Sequence, residues 1–150
     1  MTSRAAVDDF LSRQTLAVVG VSRQGNKFGN VAFKELKAKG YTVLPVNPHA
    51  ETIEGERCYP DLQALPEGVE GVLIVVPPSE TEKVVRQAAE AGIRDVWLQQ
   101  GAESEEAICF CEEQGLGLVH GHCILMFAEP TGLGHRLHRW VWGLLGKLPA

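Results

Sequence analysis

The sequence predicts an α/β fold built on an open, doubly wound parallel sheet of about five strands with helices on both faces. Short apolar runs rich in β-branched residues alternate along the chain with segments of helical periodicity, an order typical of β-α-β units. The apolar runs are continuous, as expected for strands that are covered on both faces. The chain has 150 residues, of which 45% are hydrophobic and 22% charged, values that fit one globular domain over 1–150.

Each predicted element carries its own sequence signal. Apolar residues at helical spacing mark the segments between the apolar runs, and Gly40, Gly92 and Gly115 are natural C-caps of helices. Ser79 followed by Glu82 has the pattern of a capping box, so we expect a helix to begin at Ser79. With right-handed crossovers this order builds a Rossmann-like sheet. The predicted strands span 15–20, 41–46, 71–76, 95–98 and 116–119, and the predicted helices span 4–12, 28–39, 79–91 and 103–114.

The C-terminal stretch 131–148 differs in character from the rest. It places leucine, tryptophan and valine side chains on one helical stripe, which glycines at 143 and 146 weaken. The stripe predicts a last helix that packs on the sheet or forms a homo-oligomer contact. Association with a membrane surface is disfavoured, because the polar face is short and carries few basic residues.

Charge and hydropathy exclude several classes of protein. Lys and Arg total 14 against 19 Asp and Glu, a formal net charge of -5, and the basic residues are scattered, which argues against a nucleic-acid partner. No apolar run reaches the length of a membrane span, and the polar start of the chain is unlike a signal peptide. Four cysteines are too few for a disulfide scaffold, so we expect a reducing, cytoplasmic location and no membrane association.

Ligands of such sheets bind beyond the carboxyl ends of the strands. We therefore expect one rim of the molecule to carry the segments that follow the five strands. These segments are Gly20-Val21-Ser22, Asn47-Pro48-His49, Val76-Pro77-Pro78, Gln99-Gln100-Gly101 and His120-Gly121-His122-Cys123.

The first of these loops has the chemistry of a phosphate site. Gly20 permits a tight turn and close approach of a ligand, Ser22 offers a hydroxyl, and Lys27 precedes a helix start, where free N–H groups favour an anion. The loop lacks the P-loop pattern. It also departs from the dinucleotide fingerprint, since Ser22 replaces the second glycine and Asn47 stands where an acid would hold a ribose diol. NAD is thereby disfavoured, although an NAD(P)-binding redox enzyme or sensor remains the alternative.

Six short motifs recur in a familiar order: Gly20-Val21-Ser22, Asn26-Lys27-Phe28-Gly29, Pro45-Val46-Asn47-Pro48, Ile53-Glu54-Gly55, Val76-Pro77 and Trp97-Leu98-Gln99-Gln100-Gly101. As an ordered set, they resemble the small stand-alone CoA-binding proteins. These proteins are similar to the N-terminal, CoA-binding domain of the succinyl-CoA synthetase α subunit. The resemblance covers roughly residues 8–130 and implies a Rossmann-like fold that binds coenzyme A or an acyl-CoA.

The resemblance also implies roles for particular residues. The loop from Gly20 through Val21 and Ser22 to Lys27 would hold the CoA phosphates. Asn47 and Pro48 would lie near the nucleotide, with His49 where the family often has a lysine. Val76, Pro77 and Pro78 would flank the adenosine or the pantetheine, and Gln100 and Gly101 would line the far side of the cleft. Cys123 matches a family cysteine that follows the last strand.

The synthetases also need a phosphorylated histidine and domains that grasp ATP, which this length does not accommodate. The resemblance therefore implies binding of CoA without acyl-CoA synthesis, and we expect no enzyme activity. A third hypothesis is an interaction or scaffold protein with a vestigial cleft.

Two further groupings invite a chemical role. His120 and His122 alternate along a strand and, with Cys123, have the residue types of a metal site, but zinc needs three or four ligands at fixed geometry, so we expect no metal. Cys123 is a candidate nucleophile or mixed-disulfide partner of the CoA thiol, and its alternative role is that of a small buried apolar residue.

Overall fold

The computed structural model describes residues 2–128. The α-helices are α1 (Arg4–Leu11), α2 (Phe28–Ala38), α3 (Pro78–Glu90) and α4 (Glu105–Glu113). The strands are β1 (Thr15–Val19), β2 (Thr42–Val46), β3 (Thr52–Ile53), β4 (Glu56–Arg57), β5 (Gly71–Ile74), β6 (Asp95–Gln99) and β7 (Gly117–His122). Short 3-10 turns occur at Leu62–Ala64 and Ile124–Met126.

Five of the strands form one parallel sheet in the order β2-β1-β5-β6-β7. The chain leaves β1 toward β2 on one side and then returns to build β5, β6 and β7 on the other. The strand order therefore reverses between β1 and β5, which is the switch point where such sheets bind ligands. The predicted doubly wound, Rossmann-like sheet of five strands is confirmed.

The two faces of the sheet bury separate apolar cores. On one face, β-strand residues such as Leu73 and Trp97 pack with side chains of α1, α2 and the 3-10 turn at Ile124–Met126. Trp97 is fully buried, and the ring of Phe10 meets it edge-on at 5.4 Å between centroids. On the other face, residues such as Ile74 and Leu98 pack with α3 and α4. Continuous apolar strands are the result of this double coverage.

The prediction for the start of α3 was wrong. The helix begins at Pro78 with Pro77 as its N-cap, and no side-chain cap bond is made, so Ser79 and Glu82 form no capping box. Proline fits the first helical position because its missing N–H has no partner there in any case. Glu82 instead pairs with Arg86 one turn later, at 2.8 Å.

The antiparallel β3–β4 hairpin, whose strands have two residues each, was not predicted from the sequence. The predicted C-terminal helix over 131–148, with its oligomer contact, lies outside the described residues. Within residues 2–128, no helix combines the length and apolar character that crossing a membrane requires.

Candidate functional site

The carboxyl ends of β1 and β5 approach each other so closely that only glycine fits at position 20. Gly20 has φ +114°, and a Cβ built on it would lie 1.9 Å from the carbonyl oxygen of Val75. The start of α2 packs against the same turn, since a Cβ on Gly29 would lie 2.3 Å from the carbonyl oxygen of Gly20. The two glycines thus bring the N-terminus of α2 onto the switch point, in the manner of nucleotide-binding turns.

Two asparagines fix the loop that follows β1. Asn30 is buried, accepts a hydrogen bond from the Ser22 N–H at 2.8 Å and donates to the Ser22 carbonyl at 2.9 Å. Asn47, at the end of β2, donates to the Val21 carbonyl at 2.9 Å and accepts from the His49 N–H at 2.7 Å. The loop backbone is therefore held in one conformation before any ligand arrives.

The β3–β4 hairpin supports the same loop from outside. Glu54 accepts a hydrogen bond from the Asn30 amide at 3.2 Å and pairs with Lys34 at 3.4 Å. Its backbone has φ 51°, and it is the non-glycine residue with positive φ among residues 2–128. Such strained positions persist where the surrounding structure determines them, often beside functional sites.

Three adjoining clefts run along this rim. The switch-point cleft, of about 340 Å³, is lined by Gly20, Lys27, Phe28, Val75, Val76, Pro77, Gln99, Gln100, Gly101 and Ala102. The middle cleft, of about 380 Å³, is lined by Val19, Val46, Pro48, Pro60, Asp61, Leu62, Val76, Pro77, Glu80, Lys83, Val84 and Gln87. The hairpin cleft, of about 510 Å³, is lined by Pro48, His49, Ala50, Glu51, Arg57, Cys58 and Pro60. Neighbouring clefts share lining residues, so together they form an elongated groove suited to a long ligand.

The helix starts at the switch-point cleft are left open. Lys27 and Pro77 are the N-caps of α2 and α3, both line this cleft, and neither makes a side-chain cap hydrogen bond. In contrast, α1 and α4 are capped by Ser3 and Ser104. A helix start presents N–H groups without intrahelical partners, and these attract anions. Two such starts meet in one cleft, and α3 contributes the smaller share of donors, because Pro78 has no N–H and the Glu80 N–H donates to the Pro77 carbonyl at 2.8 Å.

Basic side chains are spread along the groove. Lys27 lies at the switch-point cleft, Lys83 at the middle cleft, and Arg57 at the hairpin cleft beside His49. The guanidinium carbon of Arg57 lies 5.0 Å from the centroid of the Tyr59 ring, which holds the charge at the cleft by a cation–π contact. Acidic groups are also present, so the positive charge is local rather than a broad surface.

Most of the site residues predicted from the sequence lie on this groove. Gly20, Lys27, Val76, Pro77, Gln100 and Gly101 line the switch-point cleft, and Pro48 and His49 line the hairpin cleft. The three clefts do not include Val21, Ser22 or Asn47, which instead shape the loop after β1. Val21 is buried in the core, the Ser22 hydroxyl donates to Gln24, and Asn47 donates to the Val21 carbonyl. Pro78 is exposed at the first position of α3 and lines none of the three clefts.

Cys123 lines none of the three clefts. It is 8% exposed and packs in the core under α1 and α2. Among the cysteines of the described chain, Cys109 is the exposed one. Burial raises the pKa of Cys111 to about 11, with the nearby Glu112 adding to the effect. The raised pKa makes Cys111 a packing group, and the burial of Cys123 favours its alternative role as a small apolar residue.

The two histidines of β7 do not assemble a metal site. Over residues 2–128, no three His, Cys, Asp or Glu side chains converge closely enough to hold a metal ion. The pairing of β6 with β7 is irregular between Trp97 and Gln99, and Gly121 takes φ +79°. The His122 ring lies against Phe127, 5.7 Å between centroids. Burial lowers the pKa of both His120 and His122, which favours neutral rings.

Two residues that shape the site, Asn30 and Arg57, were not predicted from the sequence, whereas Gly29 was placed in a motif and Gln99 on the rim without a particular role for either. Gly29 and Asn30 had a signal, because a glycine and an asparagine in the first helical turn after a glycine-containing loop indicate close packing and a loop contact. The signal for Gln99 is that it is a polar residue at the end of an apolar strand. Arg57 had none, since its place depends on a hairpin of two-residue strands.

Comparison with known proteins agrees with this geometry. A family model described as CoA binding domain matches residues 14–129. The ADP-forming acetate–CoA ligase I of Archaeoglobus fulgidus is 32% identical over 123 residues, which cover 75% of this chain and 18% of the ligase. The chain thus spans about a fifth of that relative's length, and the match is to one part of a larger enzyme.

Solved structures of similar size also match. A conserved hypothetical protein from Pyrococcus furiosus is 43% identical with a TM-score of 0.71, and the match covers 74% of this chain and 96% of that one. A hypothetical protein from Pyrococcus horikoshii is 33% identical with a TM-score of 0.76, covering 82% and 87% of the two chains. The fold therefore occurs both inside ligases and as a small protein.

Proposed function

Because the chain belongs to the CoA-binding domain family, we propose that it binds coenzyme A or an acyl-CoA in the groove at the carboxyl ends of the strands, without a catalytic centre of its own. The observation that carries this proposal is the pair of uncapped helix starts, those of α2 and α3, at the switch-point cleft. Their N–H groups, with the Lys27 ammonium, offer donors and positive charge to a pyrophosphate. Gly20 allows the phosphates to approach the backbone.

The other two clefts supply complementary chemistry for the nucleotide. The middle cleft has apolar walls, including Val46, Leu62 and Val76, and suits an adenine ring. The hairpin cleft carries Arg57 and His49, which suit the ribose phosphate of CoA. The pantetheine arm then runs the other way, past Val76 and Pro77 toward Gln100 and Gly101. This assignment uses the full length of the groove and the positions of two of its basic side chains, Lys27 and Arg57.

The NAD(P) alternative is less well supported by the same geometry. Dinucleotide sites use an acidic side chain at the end of the second strand to hold the ribose diol. Here Asn47 stands at that position, and both ends of its carboxamide already bond to the protein, at Val21 and His49. The Asn47 carboxamide is neutral and serves to hold the loop, so it is not the charged acceptor that a ribose diol uses in dinucleotide sites.

Calorimetric titration of the full chain with CoA, acetyl-CoA and NADPH tests the proposal. We expect saturable binding of CoA and acetyl-CoA that is tighter than that of NADPH. Lys27→Ala should weaken CoA binding by about tenfold, the size of one charge-assisted contact. Lys37→Ala, which removes an exposed lysine at the other end of α2, should not. No binding of either thiol ligand, or tighter binding of NADPH, would overturn the proposal.

The absence of a catalytic centre is tested separately. The chain is incubated with acetyl-CoA, and free thiol is followed with a chromogenic disulfide. The signal that the protein's own thiols give without acetyl-CoA, Cys109 above all, is subtracted. We then expect release no faster than in buffer alone. Release that scales with protein concentration would show an activity and contradict this part of the proposal.

A further inference from the structure

A groove separate from the ligand rim lies beside α1. It has a volume of about 300 Å³, and its apolar lining is formed by Val7, Leu11, Tyr41 and Phe127. Val7 and Phe127 are buried, whereas Leu11 and Tyr41 are half-buried. Because Leu11 ends α1 and Tyr41 precedes β2, this α1 groove lies toward the amino ends of the first two strands. It shares no lining residue with the three clefts of the rim.

The walls of the α1 groove are fixed by contacts within the protein. The Tyr41 hydroxyl donates a hydrogen bond to the Leu11 carbonyl at 2.8 Å, which joins the approach to β2 to the last turn of α1. On the same helix, the Arg4 guanidinium pairs with the Asp8 carboxylate at 3.2 Å, and both residues also line the groove. A groove whose walls are already ordered binds an apolar segment at little conformational cost.

The chain itself continues from the α1 groove. Phe127 lines the groove, and the described residues end one position later, at Ala128, so residues 129–150 continue from this place. Because an extended chain advances at most about 3.6 Å per residue, the five residues from Ala128 to Leu133 span at most about 18 Å. The first leucine of the C-terminal segment 131–148 is therefore within reach of the groove.

The sequence of 131–148 complements the α1 groove. Leu133, Leu137 and Trp140 recur at spacings of four and three residues, the pattern of one apolar side of a helix. The segment also contains two arginines and a lysine and no Asp or Glu, in a chain of net charge -5. α1 exposes Asp8, which lines the groove, and Asp9 next to it. Since Arg4 already pairs with Asp8, apolar character and reach carry the match, and charge adds to it.

We propose that the C-terminal segment 131–148 packs its apolar stripe into the α1 groove of the same chain and so ties the end of the chain to its first helix. This inference is independent of the CoA proposal, since the groove lies apart from the ligand rim. The same segment supplied by a second copy would instead produce a dimer, and the experiment distinguishes the two.

Hydrogen exchange of the full chain, followed by mass spectrometry, tests the packing. Leu11→Asp places a charge in the groove wall, and Val31→Asp, at an exposed apolar position of α2 outside the groove, is the matched control. We expect Leu11→Asp to speed exchange of the 131–148 amides by about tenfold or more, as for the loss of a buried leucine contact. Val31→Asp should leave their exchange within about twofold of wild type.

Leu137→Asp changes the segment instead of α1, so it keeps the test open if Leu11→Asp fails to fold. It should speed exchange in 131–148 and in α1, which the segment covers, and leave α4 unchanged. Sedimentation velocity should show a monomer for wild type and for each variant. Rapid exchange of 131–148 in wild type, equal effects of Leu11→Asp and Val31→Asp, or an effect of Leu137→Asp on α4 in place of α1 would overturn the inference. A dimer that Leu11→Asp dissociates would also overturn it, because the segment would then pack on a second copy.

Discussion

Asn30 clamps the backbone of Ser22 from both sides, accepting from its N–H at 2.8 Å and donating to its carbonyl at 2.9 Å. Both residues are buried, so neither backbone group has water as a substitute partner. The clamp joins the first turn of α2 to the loop after β1, and Glu54 extends it to the hairpin. The shape of the proposed phosphate loop thus depends on one side chain that contributes no charge.

Removal of this clamp should loosen the loop. Asn30→Ala leaves the buried Ser22 N–H without a partner and leaves the Ser22 carbonyl with only the Gly25 N–H, at 3.2 Å. We expect the free energy of unfolding to fall by about 1–3 kcal/mol. The affinity for CoA should fall by at least about tenfold, because the loop must then be ordered by the ligand. Urea denaturation and calorimetry measure the two effects. Asn26→Ala, at an exposed position of the same loop, serves as the stability control; an equal loss of stability there would contradict the assignment.

Gly20 and Gly40 separate two costs of replacing a glycine. Both have positive φ, +114° and +100°, but a Cβ on Gly20 would collide with Val75, while a Cβ on Gly40 has no atom within 4 Å. Gly40→Ala should therefore cost only the backbone strain, about 1–3 kcal/mol. Gly20→Ala adds the collision, so it should be clearly the more destabilising and should abolish CoA binding. The two variants are compared by thermal unfolding, and equal losses of stability would show that the close approach of β1 and β5 is unimportant.

The sheet was predictable because its signals are local and strong. The apolar runs at β1, β5 and β6 were bounded by glycine or proline, and the doubly wound topology followed from crossover handedness. The start of α3 was mispredicted because Ser79 and Pro78 give competing signals and proline at the first helical position prevailed. The hairpin escaped prediction because its strands have two residues each, too few to show a period.

The site was only partly predictable for a related reason. Glycine and lysine in the loop after β1 indicate a phosphate site. This signal is readable from the sequence because backbone freedom and charge are properties of single residues. The contribution of Arg57 depends on how far the hairpin folds back toward His49, and that of Gln99 depends on which of its amide atoms Ile124 occupies. Such relationships between distant residues are set by tertiary packing, which one sequence does not display.

Arg57 should distinguish CoA from its dephosphorylated form. Its guanidinium lines the hairpin cleft with His49 and is held over the Tyr59 ring. If the ribose phosphate lies there, Arg57→Ala should weaken CoA binding by about tenfold or more and leave dephospho-CoA almost unchanged, since only CoA carries that charge. Calorimetric titration with both ligands measures the ratio of affinities. Arg94→Ala, an exposed arginine near the C-terminal end of α4, should leave the ratio unaltered.

An unaltered ratio in Arg57→Ala would place the ribose phosphate elsewhere on the rim. In that case Lys83, at the middle cleft, becomes the group to vary next. A loss of affinity for both ligands alike would indicate that Arg57 maintains the hairpin rather than contacting the phosphate, and thermal unfolding of the variant separates these two explanations.

The buried histidines of β7 should make the fold sensitive to mild acid. Burial lowers the pKa of His120 and His122 from the ordinary value of 6.5, Glu103 acts in the opposite direction on both, and Glu112 does so on His120. The Nε2 atom of His120 is buried and has no hydrogen-bond partner. The unfolded chain therefore takes up protons below pH 6.5 that the folded chain does not. The contribution of these two histidines to stability is therefore complete above pH 6.5. It is lost as the pH falls from there toward their lowered pKa.

We expect the free energy of unfolding, measured with urea, to decrease between about pH 7.5 and 5.5, and His120→Gln to show a smaller decrease. This window lies above the range in which carboxylates titrate; Glu70, for example, has a pKa lowered from 4.5 by hydrogen bonds from the N–H groups of Gln14 and Thr15. Protonation of such carboxylates lowers the free energy of unfolding only at lower pH. A decrease within this window is therefore due to the histidines. The same decrease in variant and wild type would mean that His120 takes up its proton as readily in the folded chain as in the unfolded one.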